Sequence, residues 1–208
     1  MISAVDRVGA TALHSAAERG HEQMVSTLLA ASPKLIDAVD CWGRTVLHRA
    51  ASGGSSENEK VVFQLLAASP TLLDAVDHAG WTVLHHAAFH GDEKVAFALL
   101  AVASPTLVGV INTVAIDGTT VLHGAARRRF EALVSALLVA SPALIGVLDR
   151  DGRTVLHEAA ESGNDKIVSA LLAVASPTLI NAVDCNGRTA LHYAASSEYY
   201  PNEKIVSA

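Results

Sequence analysis

GRTVLHRAA, residues 43–51, brings a glycine, a threonine and a histidine up against a pair of alanines. Its reading decides the fold because it recurs. GATALHSAA stands at 9–17, GWTVLHHAA at 80–88, GTTVLHGAA at 118–126, GRTVLHEAA at 152–160 and GRTALHYAA at 187–195. Between the motif histidines His14, His48, His85, His123, His157 and His192 the spacings are 34, 37, 38, 34 and 35 residues. A fixed period with small insertions predicts a stacked repeat array rather than one or two globular domains.

Each unit reads D-x-x-G-x-T-[VA]-L-H-x-A-A, a short turn, an apolar run such as MVSTLLAASP (24–33), and a connection such as LIDAVD (35–40). Thr45 precedes an Ala- and Leu-rich stretch and is placed to accept from free backbone N–H groups, which predicts a first helix from there to near Gly53. Val25, Leu28 and Leu29 lie at i, i+3 and i+4, one apolar face of a second helix that Pro33 stops. Paired alanines let neighbouring helices approach closely.

Composition agrees with small, close-packed helices. Half of the 208 residues are hydrophobic but only 4% are aromatic. The net charge of -6 offers no overall basic field for nucleic acid or anionic lipid, and runs such as VAFALLAVAS fall short of the roughly 20 residues that span a bilayer. Nucleic acid and membrane are therefore not expected as partners. Cys41 and Cys185 are the only thiols and occupy the same place in the repeat. At about 10 Å per repeat they would stand roughly 40 Å apart, beyond disulfide reach, and a reducing intracellular compartment, cytoplasmic or nuclear, is expected.

The pattern closely resembles the ankyrin repeat, whose usual signature at this place is T-P-L-H-x-A-A, and the resemblance covers essentially the whole chain. It implies an all-α solenoid of stacked helix-turn-helix repeats with β-hairpin-like connecting loops. One array is expected over 1–208, with repeats at about 6–39, 40–76, 77–114, 115–148, 149–183 and an incomplete 184–208. It also implies hydrogen-bonding structural roles for Thr11, His14, Thr45, His48, Thr82, His85, Thr120, His123, Thr154, His157, Thr189 and His192. Some features depart from the family. Val46 and its equivalents replace the usual proline, SPKLIDAVD (32–40) is one residue longer than the common connection, and Arg129 replaces the turn glycine, which predicts a reshaped turn. Insertions lie in GGSSENEK (53–60), VGVINTVAIDG (108–118) and SSEYYPNEK (196–204). Neither end carries a recognisable polar capping repeat, so part of a longer scaffold or regulatory protein is expected.

Six motif histidines in six layers cannot gather around one metal ion, and Asp40, Thr45 and His48 contain no activated nucleophile with a base and an oxyanion partner. No cofactor, metal or catalytic residue is expected. His86 and His90, four apart, are the one pair with metal-ligand spacing, and no third ligand lies near them in sequence. In proteins of this kind the partner is gripped by hairpin tips and the exposed side of the first helix. That implies a protein-binding face at Trp42, Arg44, Arg49, Trp81, His86, Phe89, His90, Arg127, Arg128, Arg153 and Tyr193. Variable positions hold nine arginines against five acidic residues, which predicts a basic recognition face suited to an acidic segment. Self-association through uncapped ends is the competing expectation, and a metal-dependent enzyme the third.

Overall fold

The computed structural model describes residues 3–102 and 107–196. Two compact units, Met1–Thr113 and Val114–Ala208, divide the chain within the insertion at 108–118. The first holds α1 (Ala12–Glu18), α2 (Glu22–Ala31), α3 (Val46–Ser52), α4 (Asn58–Ala68), α5 (Val83–His90), α6 (Glu93–Leu100) and α7 (Leu107–Asn112). The second holds α8 (Val121–Arg127), α9 (Glu131–Ala140), α10 (Val155–Ser162), α11 (Asp165–Leu172), α12 (Pro177–Ile180) and α13 (Ala190–Ser196). Within the first unit α1 packs on α3 and α3 on α5, while α2 packs on α4 and α4 on α6; within the second, α10 lies between α8 and α13.

The local reasons for these elements sit in the motif. Thr11, Thr45 and Thr82 are extended residues whose side chains accept from the backbone N–H three positions on, so each first helix starts directly after its threonine. Leu13, Leu47, Leu84, Leu122 and Leu156 are fully enclosed, together with the alanine pairs that follow them. Small alanines set the close approach of one first helix to the next, and Ala51 shows how close. A Cβ on Gly91 would come within 2.3 Å of the Ala51 carbonyl oxygen. Ser32 and Ser69 end their helices, and a 3-10 turn begins at the proline after each, Pro33–Asp37 and Pro70–Asp74. α7 takes the place of such a turn in the third repeat and packs on Pro70–Asp74.

Each connection closes as a tight hairpin. In the second repeat Asp40 N–H donates to the Arg44 carbonyl at 3.0 Å and Gly43 N–H to the Asp40 carbonyl at 2.9 Å. Gly43 sits at φ +76°, a backbone that L side chains disfavour. Successive tips are joined by backbone hydrogen bonds, Cys41 N–H to Val8 O and His78 N–H to Trp42 O in the first unit, Arg150 N–H to Asp117 O and Cys185 N–H to Asp151 O in the second. Among the described residues the β-structure is limited to isolated bridges, Val5 with Thr11, Val39 with Thr45 and Val76 with Thr82.

The turn at Arg129 corrects the sequence expectation. Instead of reshaping, it keeps the left-handed backbone of two of its equivalents: Arg129 has φ +63°, beside +71° at Gly20 and +69° at Gly163, whereas Gly91 lies at φ -83°. The arginine adopts this conformation while its guanidinium donates to the Ser162 carbonyl. A branched β-carbon tolerates this backbone least. Arg129→Val is expected to lower stability by about 1–2 kcal/mol, and Arg129→Gly to stay within about 1 kcal/mol of the parent, because relief of strain offsets extra chain entropy. Urea midpoints measure this, and equal tolerance of both substitutions would remove the claim of strain.

Candidate functional site

Each Thr–His pair closes the start of its own helix. Thr45 N–H donates to His48 Nδ1 at 3.2 Å, and the Thr45 hydroxyl lies 2.9 Å from the same nitrogen. Thr11 with His14, Thr82 with His85, Thr120 with His123, Thr154 with His157 and Thr189 with His192 repeat the arrangement. A backbone N–H only donates, so Nδ1 is the acceptor and the ring proton sits on Nε2. That N–H reaches the next hairpin: His14 to Arg44 O at 3.2 Å and His48 to Trp81 O at 3.1 Å in the first unit, His123 to Arg153 O at 3.4 Å and His157 to Arg188 O at 3.1 Å in the second. Burial holds all four imidazoles below the usual histidine range, so they are neutral.

Around this frame the first unit carries an aromatic and charged face. Trp42 is 47% exposed at a hairpin tip. Arg44 lies with Cζ 4.2 Å above the indole, and its Nε donates to Asp40 Oδ2 at 2.8 Å. Arg49 reaches the same oxygen at 3.1 Å and Glu18 Oε2 at 3.2 Å. Burial alone would raise the Asp40 pKa, but the backbone N–H groups of Arg44 and Trp42, with the Arg44 guanidinium, hold it below the usual carboxylate range. Asp40 thereby fixes the tip that presents Trp42. One repeat on, half-buried Trp81 packs against Phe89 at 4.6 Å and stacks on exposed His90 at 5.5 Å.

His86 does not belong to the exposed face assigned to it from sequence. It is 5% exposed, its Nε2 donates to Asp77 Oδ2 at 2.8 Å, and its Nδ1 lies 3.0 Å from the Ser52 hydroxyl. Burial pushes its pKa down to about 4, against the opposing pull of Asp77. Sequence spacing did not reveal this trio, whose members come from two repeats. Ser52 ends α3 with its hydroxyl also 2.9 Å from the His48 carbonyl, so the three groups form a lock between adjacent first helices. With both ring nitrogens engaged, His86 has no lone pair free to join His90 on a metal. Among the described residues no group of three or more His, Cys, Asp or Glu is placed to hold a metal ion.

Tyr193 is likewise buried, 6% exposed, with its hydroxyl donating to Asp184 Oδ2 at 2.7 Å. Arg153 and Arg188 cover its ring at 4.7 and 4.5 Å. Arg153 also pairs with Glu158 and Glu161, and burial raises the Glu158 pKa. Arg127 and Arg128 are exposed at the end of α8. The expected basic face is therefore reduced: Arg44, Arg49, Arg153 and Arg188 all pair with carboxylates of their own unit. For Arg44, Arg49 and Arg188 the count at variable positions missed this because their partners Asp40 and Asp184 are motif residues outside it. Cys41 and Cys185 are exposed free thiols.

The neutral histidines make stability pH-dependent with a definite sign. Their folded pKa values lie below the unfolded value near 6.5, so below that pH the unfolded chain binds protons that the folded one refuses. Stability should be flat above about pH 7 and fall on acidification, by up to about 1.4 kcal/mol per pH unit for each of His48, His86 and His123. Asp40 and Asp77, whose pKa values are lowered, lose their contribution only below the ordinary carboxylate range. Urea midpoints at pH 7.5 and pH 5 should differ clearly, and identical midpoints would contradict the neutral, buried imidazoles.

Comparison with protein-family models matches "Ankyrin repeats (3 copies)" over residues 2–69, 33–108, 104–181 and 122–207. No curated protein matches the chain. Among the described residues no helix is long and apolar enough to cross a membrane.

Proposed function

The chain belongs to the ankyrin repeat family, and from that premise we propose that hairpin tips and first helices within each unit grip a partner protein. Ankyrin repeats are in general non-enzymatic protein–protein interaction modules. The observation that carries the reading is Trp42: a large apolar ring, half out in solvent, held rigid by Arg44 and Asp40. Ordered, exposed tryptophan and arginine are the side chains that most often dominate binding energy, because little freedom remains to be lost on association.

In the first unit the gripping set is Trp42, Arg44, Arg49, Trp81, Phe89 and His90, with buried His86 supporting it from beneath. In the second it is Arg127, Arg128 and Arg153, with Tyr193 as the support. Apolar side chains of the partner cover Trp42, and carboxylates meet Arg127 and Arg128, whose exposure at the end of α8 supports an acidic segment. The array serves a scaffold or regulatory role, and the exposed thiols Cys41 and Cys185 support a reducing intracellular setting. Self-association is the second reading. Concentration-dependent light scattering separates it from a monomeric binder.

Selection of peptides from a displayed random library tests the first reading. Trp42→Ala is expected to weaken the recovered peptides at least tenfold, a hot-spot loss of about 1.4 kcal/mol or more, with unchanged helical signal. Arg127→Glu should remove acidic peptides selectively. Retention of the same peptides at the same strength by both variants would overturn the assignment.

A further inference from the structure

The last described hairpin carries a chemistry that the binding face does not use. Its tip is Asn186-Gly187, and both residues are exposed. Three other described asparagines have engaged carboxamides: Asn58 donates to the Ala17 carbonyl, Asn164 caps α11 and reaches Glu131, and Asn181 donates to the Pro177 carbonyl. Asn186 differs: only its backbone N–H is engaged, donating to Asp184 Oδ1 at 2.9 Å, and its carboxamide projects from the tip. The residue after it has no side chain to shield the peptide nitrogen, and the position where a Cβ would stand meets no atom within 4 Å. At the equivalent tip place the other repeats put Val8, Trp42, Ala79, Asp117 and Asp151, none of which has a side-chain amide.

We propose that Asn186 is a site of spontaneous deamidation, which rewrites the charge of this tip without an enzyme. The Gly187 backbone nitrogen gives up its proton to solvent and attacks Asn186 Cγ. A nitrogen–carbon bond forms, the Cγ–Nδ2 bond breaks, and ammonia leaves with a proton from water, giving a cyclic succinimide. One water then opens the ring at either carbonyl, yielding aspartate or isoaspartate; the net change is one water taken up and one ammonia released. No oxidant or reductant takes part.

The hairpin sets the pace. Gly187 N–H donates to the Asp184 carbonyl at 2.9 Å, so attack waits for the tip to open, and the rate follows local opening rather than global unfolding. The two products differ in consequence. Aspartate places at this tip the residue that Asp117 and Asp151 already supply at theirs, so the hairpin accepts it. Isoaspartate lengthens the backbone by one carbon inside a turn held by Gly187 to Asp184 and by Cys185 to Asp151 at 2.7 Å, so it loosens the tip. Either product adds a negative charge two residues from Arg188.

The test is prolonged incubation of the whole chain in warm neutral buffer, followed by proteolysis, mass spectrometry and isoaspartyl methyltransferase labelling. The peptide holding residue 186 is expected to gain one mass unit several times faster than peptides holding Asn58, Asn164 or Asn181, and to take up the methyl label. Asn186→Gln should abolish both signals, because the corresponding ring is larger and closes slowly, while the helical signal stays unchanged. Deamidation at Asn186 no faster than at Asn164 or Asn181, or label that persists in Asn186→Gln, would overturn the proposal.

Discussion

A neutral imidazole held between two backbones is the constraint on which the rest of the structure depends. Its Nδ1 accepts from the threonine that starts the helix, and its Nε2–H holds the carbonyl of the hairpin beyond. Both partners are main-chain groups that burial would otherwise leave unsatisfied at a cost of about 1–3 kcal/mol each. Because the ring is rigid, it fixes where one hairpin sits relative to the preceding helix. The alanine pairs can then pack without a gap, and the variable residues emerge at repeated positions.

That division between frame and variable surface was legible in the sequence. Six copies of T-x-L-H-x-A-A, the spacing of the histidines and the serine-proline helix stops were enough to place an all-α repeat fold. The helices begin directly after Thr45 and Thr82 because a threonine hydroxyl there satisfies backbone donors that have no partner inside the helix.

The surface was less legible, for a physical reason. A variable position names an amino acid but not what stands opposite it one repeat away. His86 fills its position with Asp77 on one nitrogen and Ser52 on the other, and Tyr193 lies between two guanidinium groups. Their burial follows from neighbours about 34 residues distant or across the hairpin, beyond the reach of a local pattern. Arg129 gives the complementary lesson. The sequence shows a missing glycine, whereas the backbone keeps the left-handed conformation that Gly20 and Gly163 adopt at their own turns.

The direction of the imidazole bonds has a consequence for how the array divides. At His14, His48, His123 and His157 the Nε2–H donates toward the C-terminal neighbour, so the residue that holds each of these hairpins in place is encoded about thirty residues before it. The smallest self-consistent module therefore straddles two copies of the motif, running from one histidine to the carbonyl it anchors. A repeat cut from aspartate to aspartate and taken alone carries a donor whose acceptor lies in the next hairpin and a hairpin whose donor lies in the preceding repeat. Modules exchanged from histidine to histidine keep each bond whole.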